Sequence, residues 1–426
     1  MDFVTGFFTE FFKALADMGA AVVLPIIIAL LGMFFRMKPG AAFKAGLLVG
    51  IGFTGLGLVI TLLVTTIDPV MKYYEALGGG FTTIDIGFPA VGAAAWSVPW
   101  AVLSIPVIVL LNLLLIRLKL VRVLNVDIWN YIHFMIPGVM AAALFNSPVL
   151  GFVVTVVLSV VALYAAQWAA PKWEEYFELD GTTCTTLSFV ALYYPIAVGL
   201  NKLFDLIPGV RNIDVNMEKI EKRLGFFGDP AFIGIIVGLF LGLLTRQPVT
   251  SILTICVGFA AVMILLPRMV GVMMEGIRPL STAAGAYMRQ RVSPDSKIWI
   301  GMDVALGLGD PVAITATAIT IPFVILFAFI IPGMTFFPLG LLAQVCYLTP
   351  MVVLASKGNV FRSVLFTIMC MAVVVFCVNQ FAPEATAMMA AAGQTFGGSM
   401  VTDGQFGWNP GNILVALFSR LFGGGA

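Results

Sequence analysis

The chain has 426 residues, of which 60% are hydrophobic and 11% charged, with a formal net charge of +1 and a mean hydropathy of +1.05. A soluble domain carries about 25% charged residues, so this chain cannot cover itself with polar surface and is read as an integral membrane protein. Its apolar runs are long and continuous rather than short and alternating, which excludes a β-barrel, and the balanced charge gives no reason to expect a nucleic-acid partner.

Taken in chain order, the N-terminal stretch "MDFVTGFFTEFFKALADMG" sets Asp2, Glu10 and Asp17 against Lys13. It lacks the basic start and small-residue cleavage site of a signal peptide. Apolar runs able to cross a bilayer as helices follow at 18–35, 45–66, 97–116, 131–145, 149–168, 230–245, 249–267, 312–333, 337–355 and 363–380, with a shorter eleventh at 411–422. The fold expected is therefore all-α, with about ten or eleven transmembrane helices. Four segments between the runs are too polar or too broken to cross simply: 80–96, 180–205, 273–297 and 298–311.

The first of these, "TTIDIGFPAVG", carries Asp85 and leads to Trp96, an aromatic that either stacks on a sugar's C–H face or anchors at the interface. Next, "NVDIWNYIHF" holds the only histidine, His133, with Asn130 three residues earlier on the same helical face. A lone histidine of this kind is either hydrogen-bonded packing or a ligand or proton carrier. "FELDGTTCTTLSF" opens the 180–205 segment with Asp180 and Thr182, Thr183, Thr185 and Thr186. Its hydroxyls and free N–H groups suit a neutral polyhydroxylated solute, or else simply cap a turn.

Farther on, "GMDVALGLGDPVAIT" keeps Asp303 and Asp310 among glycines. A carboxylate at the bilayer centre costs about 2.5–3.5 kcal/mol on insertion scales, so one retained there is expected to be functional. Seven residues apart, the two share a face if the stretch is one helix. Asp310 before Pro311 also reads as a helix N-cap with proline at the first helical position.

If every run crosses once, most of the basic residues fall on one side, and only Lys13, Lys72 and Arg246 fall clearly opposite. The rich side is cytoplasmic by the positive-inside rule. The 180–205 segment must then dip in and return, as a re-entrant hairpin shielded by protein. Three pairs of stretches match about 210–218 residues apart: "GMFFRMKPGAAFKAGLLVGIGF" with "GLLTRQPVTSILTICVGFAAVM", "TTIDIGFPAVG" with "WIGMDVALGLG", and "LFNSPVLGFVV" with "SKGNVFRSVLF". With an odd number of crossings per half, the second copy is inverted, as in secondary transporters that bind substrate near the midplane. The organisation expected is a first repeat over 1–178, hairpin and amphipathic linker over 179–226, a second repeat over 227–385, and a C-terminal loop and short helix over 386–426.

No P-loop, HExxH or GxSxG motif occurs, so no catalytic residue, metal site or cofactor is expected. The five cysteines form no CxxC pair, and nothing near Cys184 lowers its pKa.

Several stretches together carry a family likeness: "FKAGLLVGIGFTGLGLVI", "TIDIGFP", "RVLNVDIWN" with His133, "YFELDG", "IPGVRNI", "FGDP" and "LPRMV". In this order and spacing, from about residue 15 to about residue 400, the chain resembles the galactitol-type IIC permeases of the bacterial sugar phosphotransferase system, in the ascorbate–galactitol superfamily. The resemblance implies a homodimer in the bacterial cytoplasmic (inner) membrane. Each subunit would have a V-motif scaffold and an elevator-like core with two hairpins. A IIB subunit, phosphorylated from IIA, would modify the sugar at the cytoplasmic mouth, docking on the basic elements at 211–223 and 273–297. It makes Asp85, His133, Thr182, Thr183, Thr185, Asp303 and Asp310 the expected substrate lining, to which the residues themselves add Asn130 and Trp96 as candidates. Two positions depart from the family pattern. It has a histidine where this chain reads "TTCTTLS", and Leu-Gly-His where this chain has Leu-Gly-Asp310. Both changes fall at expected substrate positions, so a different polyol or sugar is compatible with the resemblance. The competing readings are a proton-coupled carrier using Asp303, Asp310 or His133 as a relay, and a non-transporting receptor, for which the residues offer no argument.

Overall fold

Where a bilayer surrounds the chain, backbone polar groups must be satisfied within it, and the apolar runs accordingly fold as helices. The computed structural model describes residues 20–77, 81–98, 100–213, 215, 230–291 and 297–422. Five described helices are long and apolar enough to cross a membrane: Pro39–Val70, Pro148–Phe177, Val249–Ala284, Pro311–Ile330 and Val360–Gln380. Shorter apolar helices cover Val22–Phe34, Leu103–Arg117, Ile132–Leu144, Gly234–Leu244, Val345–Ser356 and Pro410–Phe422. Together they account for the eleven apolar runs, and the protein is a mostly helical, multi-pass membrane protein. The N-terminal nineteen residues, most of the basic element at 211–223 and the 226/227 boundary lie outside the described residues.

Two helix pairs pack against each other: Ala20–Phe34 with Pro39–Leu77, and Pro230–Leu244 with Val249–Arg291. Between helices in lipid there is little hydrophobic driving force, so close approach through small residues does the work. A methyl group added at Gly46 would strike the Pro25 carbonyl, and one at Gly276 the Ala45 carbonyl. At Gly238 it would lie 2.6 Å from Cys256 Cα. Val49 and Met273 lie in the seam between the pairs, where a Cβ at Gly276 or Gly52 would meet them, while Leu58, Phe240, Val249 and Val257 are exposed on the outside.

The remaining helices surround two small parallel sheets that the all-α expectation did not include. β1 (Thr83–Asp85), β2 (Val123–Asn125), β3 (Thr182–Cys184), β4 (Trp299–Met302) and β5 (Met400–Thr402) are three or four residues long, too short to print a period of two on the sequence. β1 pairs with β5, Asp85 opposite Thr402, and Thr83 also bridges Phe336. β4 lies between β2 and β3, so Gly301 faces both Asn125 and Thr183. A side chain at Gly301 would press on Thr185 and on the Asn125 backbone, and glycine is what lets three strands meet there.

The 180–205 segment contains β3, then a π-helical stretch at Phe189–Tyr193 and a helix at Tyr194–Asp205. The chain reverses after Pro148–Phe177 through left-handed backbone at Glu178 (φ 54°) and Gly181 (φ 71°). In "GMDVALGLGDPVAIT", Asp303 and Asp310 do not share one helical face. A 3-10 helix at Val304–Gly309 separates them and each heads its own helix, because both carboxylates bond N–H groups just ahead, of Ala305 and Ala313 respectively.

Candidate functional site

A cavity of about 260 Å³ opens between the first helix pair and the sheet-bearing body. The helix pair contributes an apolar wall: Phe53, Leu56, Gly57 and Ile60. The polar residues, Asn130, His133, Thr186, Asp303, Gln344, Tyr347 and Gln405, come from the other body. Aromatic rings close the remaining sides, among them Phe88, Phe189 and Trp408. No lysine or arginine belongs to this lining.

Asn130, Thr186, Asp303 and Gln405 follow the ends of β2, β3, β4 and β5, whereas His133 opens the helix Ile132–Leu144 and Gln344 follows the short helix Leu339–Leu342. β2 is held by Asn112, which donates to Val123 O at 2.8 Å and accepts from Asn125 N at 2.9 Å. Asp127 then accepts from the Asn130 backbone and side chain, each at 3.3 Å. Because a carboxylate accepts only, Nδ2 of Asn130 must face Asp127, and Nδ2 also donates to Thr186 Oγ1 at 2.8 Å. Asn130 Oδ1 is buried with no partner among the described residues, and so is Trp408 Nε1. Native structures leave few such groups unpaired, and both belong to residues that line the cavity.

His133 lies 2.9 Å through Nδ1 from Ser188 Oγ, and Phe88 stacks on its ring at 5.8 Å with planes 23° apart. Asn409 Nδ2 donates to its carbonyl at 2.8 Å. Asp303 accepts from Ala305 N through Oδ1 at 2.8 Å. Gln405 begins a short helix, Gln405–Trp408, whose first N–H donates to Asp403 Oδ1 at 2.9 Å.

Of the residues expected from sequence, Asn130, His133 and Asp303 meet at the cavity. Asp85 does not line it. Its carboxylate accepts from Gly87 N at 3.2 Å and Leu341 N at 2.8 Å, forming the same turn, two residues ahead, that Asp303 forms with Ala305. The threonine hydroxyls are occupied with protein. Thr182 donates to Leu179 O and accepts from Trp173, Thr183 donates to Ala166 O, and Thr185 lies 3.3 Å from both Asn125 Oδ1 and Met302 O. Asp310 caps Pro311–Ile330 and accepts from Tyr176 OH at 3.0 Å. Trp96 falls in the helix Gly87–Ser97, but its side chain lies outside the described residues.

Gln344, Gln405 and Trp408 were missed. The signal for the last two was there: "VTDGQFGWNPGN" is a polar, glycine-containing break between apolar runs, like "GMDVALGLGD", but it lay in a segment read as a terminal loop. Among the described residues no group of three or more His, Cys, Asp or Glu could hold a metal. Cys184 is fully buried in β3, where no partner protein could reach it.

Comparison with known proteins adds an independent observation. A family model described as "PTS system sugar-specific permease component" matches residues 14–399. The chain is 32% identical over 416 residues to "PTS system galactitol-specific EIIC component" of Escherichia coli strain K12, covering 97% of this chain and 91% of that protein. It is similar to the same extent to the protein of that name from Escherichia coli O157:H7. It is 29% identical over 410 residues to a "Putative permease IIC component" of strain K12, covering 95% of this chain and 93% of that protein.

Proposed function

We propose that this chain, which belongs to the sugar-specific permease family of the phosphotransferase system, carries galactitol or a closely related polyol across the bacterial cytoplasmic membrane. A IIB partner, phosphorylated in turn by IIA, receives the substrate at the cytoplasmic mouth. The observation that carries this reading is the lining. Amides, the hydroxyl-bearing Thr186 and Tyr347, an imidazole and one carboxylate surround the cavity beside aromatic rings, with no cation. A neutral polyol satisfies such groups through alternating donors and acceptors, and aromatic rings accept its C–H faces. A phosphorylated product finds no positive charge to hold it and meets Asp303 instead, which favours release. With Cys184 buried, the phosphoryl group comes from the partner protein.

The chain acts as two inverted repeats in this reading. Each sheet supports it by exchange between halves. β1 is flanked by Phe336 and β5 from the second half, and β4 by β2 and β3 from the first. Asp303 stands 218 residues after Asp85, and Thr402 218 after Cys184. Arg36 and Arg246, at the ends of the first helices of the two pairs, share a positive φ of 66° and 51°. In this arrangement 386–426 is the second hairpin, matching β3 and Tyr194–Asp205. The two helix pairs form the scaffold of a homodimer, and the sheet-bearing body is the part that moves. An apolar wall facing a polar grip supports such an elevator, since the substrate slides past groups that do not bind it.

Titration of the purified protein with galactitol tests the site. Wild-type protein binds saturably, and Asp303→Asn, which keeps the helix cap, binds at least about tenfold more weakly. Wild-type affinity in that variant would remove Asp303 from the binding site.

A further inference from the structure

Two glutamines of the cavity wall are held in opposite senses. Gln344 turns its nitrogen to the protein: Nε2 donates to Asp403 Oδ2 at 2.8 Å and to Gly340 O at 3.2 Å. A carbonyl cannot donate, so the amide cannot be reversed, and Oε1 is the end left for the cavity. Gln405 turns its oxygen to the protein. Oε1 lies 3.3 Å from Ser188 Oγ and 3.4 Å from Asn409 Nδ2, which leaves Nε2. Both residues are buried apart from the cavity they line. Asp403, itself fully buried, joins them: Oδ1 takes the Gln405 backbone N–H while Oδ2 takes the Gln344 amide.

We infer that Gln344 and Gln405 read the substrate's hydroxyl groups, one as acceptor and the other as donor, and that Asp403 is the positioning residue that fixes the polarity of Gln344. The inference rests on the reading of the cavity as a polyol site and deepens it. A hydroxyl both donates and accepts, so an acceptor and a donor held apart on one wall recognise two hydroxyls in a defined arrangement without any charge. Such a pair distinguishes epimers, because moving one hydroxyl to the other face leaves a buried amide end unpaired.

Asp403 needs both oxygens as acceptors, and an asparagine has only one. In Asp403→Asn the backbone N–H of Gln405 keeps that oxygen, and the new NH₂ group faces Gln344. Gln344 can accept from that group only by turning its oxygen to it, which gives up the bond from its nitrogen to Gly340 O and presents the nitrogen to the cavity. Adding Gln344→Glu reverses the effect. The glutamate accepts from the new amide and again offers an oxygen to the cavity.

The experiment is isothermal titration of detergent-purified protein with galactitol, mannitol and glucitol, for wild type, Asp403→Asn, Gln344→Glu and the double variant. Gln344→Met serves as a second removal of the acceptor that leaves Asp403 and Gln405 paired. For the hexitol bound best by wild type, Asp403→Asn and Gln344→Met each weaken binding about tenfold to a hundredfold. The double variant binds more tightly than either of its single parents, which a merely structural role for Asp403 would not produce. Wild-type affinity in Gln344→Met, or a double variant no better than its parents, would overturn the inference alone. Wild-type protein that binds none of the three hexitols would overturn the inference and the polyol reading together.

Discussion

Thr186 Oγ1 lies 2.8 Å from Asn130 Nδ2 and 3.0 Å from Val304 N, so one hydroxyl joins the segment that carries His133 to the segment that carries Asp303. Thr186→Val keeps the shape and leaves two buried N–H donors without an acceptor. A loss of about 1–3 kcal/mol is expected for each orphaned donor, visible as a lower midpoint in thermal unfolding in detergent, together with weaker galactitol binding. Thr186→Ser keeps the oxygen and stays near wild type. A valine variant with both properties unchanged would deny Thr186 this joining role.

Gly57 lies on the apolar wall, and a Cβ built there meets nothing within 4 Å. Gly57→Leu therefore fills part of the cavity without a clash in the protein. Leucine is also the better helix former, by up to about 1 kcal/mol. The variant is expected to be as stable as wild type while galactitol uptake and binding fall at least about tenfold. Unimpaired uptake would mean that the substrate does not pass this wall.

Gly276 and Gly271 share one helix but not one environment. A Cβ at Gly276 runs into the Ala45 carbonyl, whereas one at Gly271 meets nothing within 4 Å. Gly276→Leu should separate the two helix pairs and reduce the folded yield on size-exclusion chromatography. Gly271→Leu should leave it unchanged. Equal yields from both variants would contradict the packing described for the seam.

Glu384 is 3% exposed at its side chain and is bonded at both oxygens by Arg420. That contact ties the C-terminal helix Pro410–Phe422 to Ala382–Ala391. Arg420→Ala leaves a buried carboxylate unpaired, and removing one partner of such a pair costs about 3–5 kcal/mol. Because Arg420 is itself 42% exposed, the lower end of that range is expected. Adding Glu384→Gln should recover much of the loss in a thermal melt. No recovery would show that the arginine acts through packing on Phe381, over whose ring it lies at 5.1 Å.

What could be read from the sequence followed the length of its signals. Eleven apolar runs were legible because an unbroken stretch of a dozen or more apolar side chains cannot be hidden in a polar pattern. Asn130, His133 and Asp303 stood out because polar groups are rare in such a chain. The sheets were not legible, since a three-residue strand has no period to detect and its partners lie far away in sequence. For Thr182, Thr183 and Thr185, composition named the right segment but not which hydroxyls were already bonded to protein. Only Thr186 of that group reaches the cavity, because β3 ends at Cys184 and the chain turns before Ser188. Gln344 looked like an ordinary residue within an apolar run. Its role depends on Asp403, 59 residues away.

The central claim is that the cavity delivers a polyol to a phosphorylating partner. Right-side-out membrane vesicles containing this protein would be loaded with phosphorylated IIB or left empty, then given labelled galactitol, and the accumulated product identified. Labelled galactitol phosphate that appears only in the loaded vesicles is the expected result. Free galactitol accumulating in empty vesicles under a pH gradient would contradict it, and would make the protein a proton-coupled carrier with Asp303 and His133 as its candidate relay.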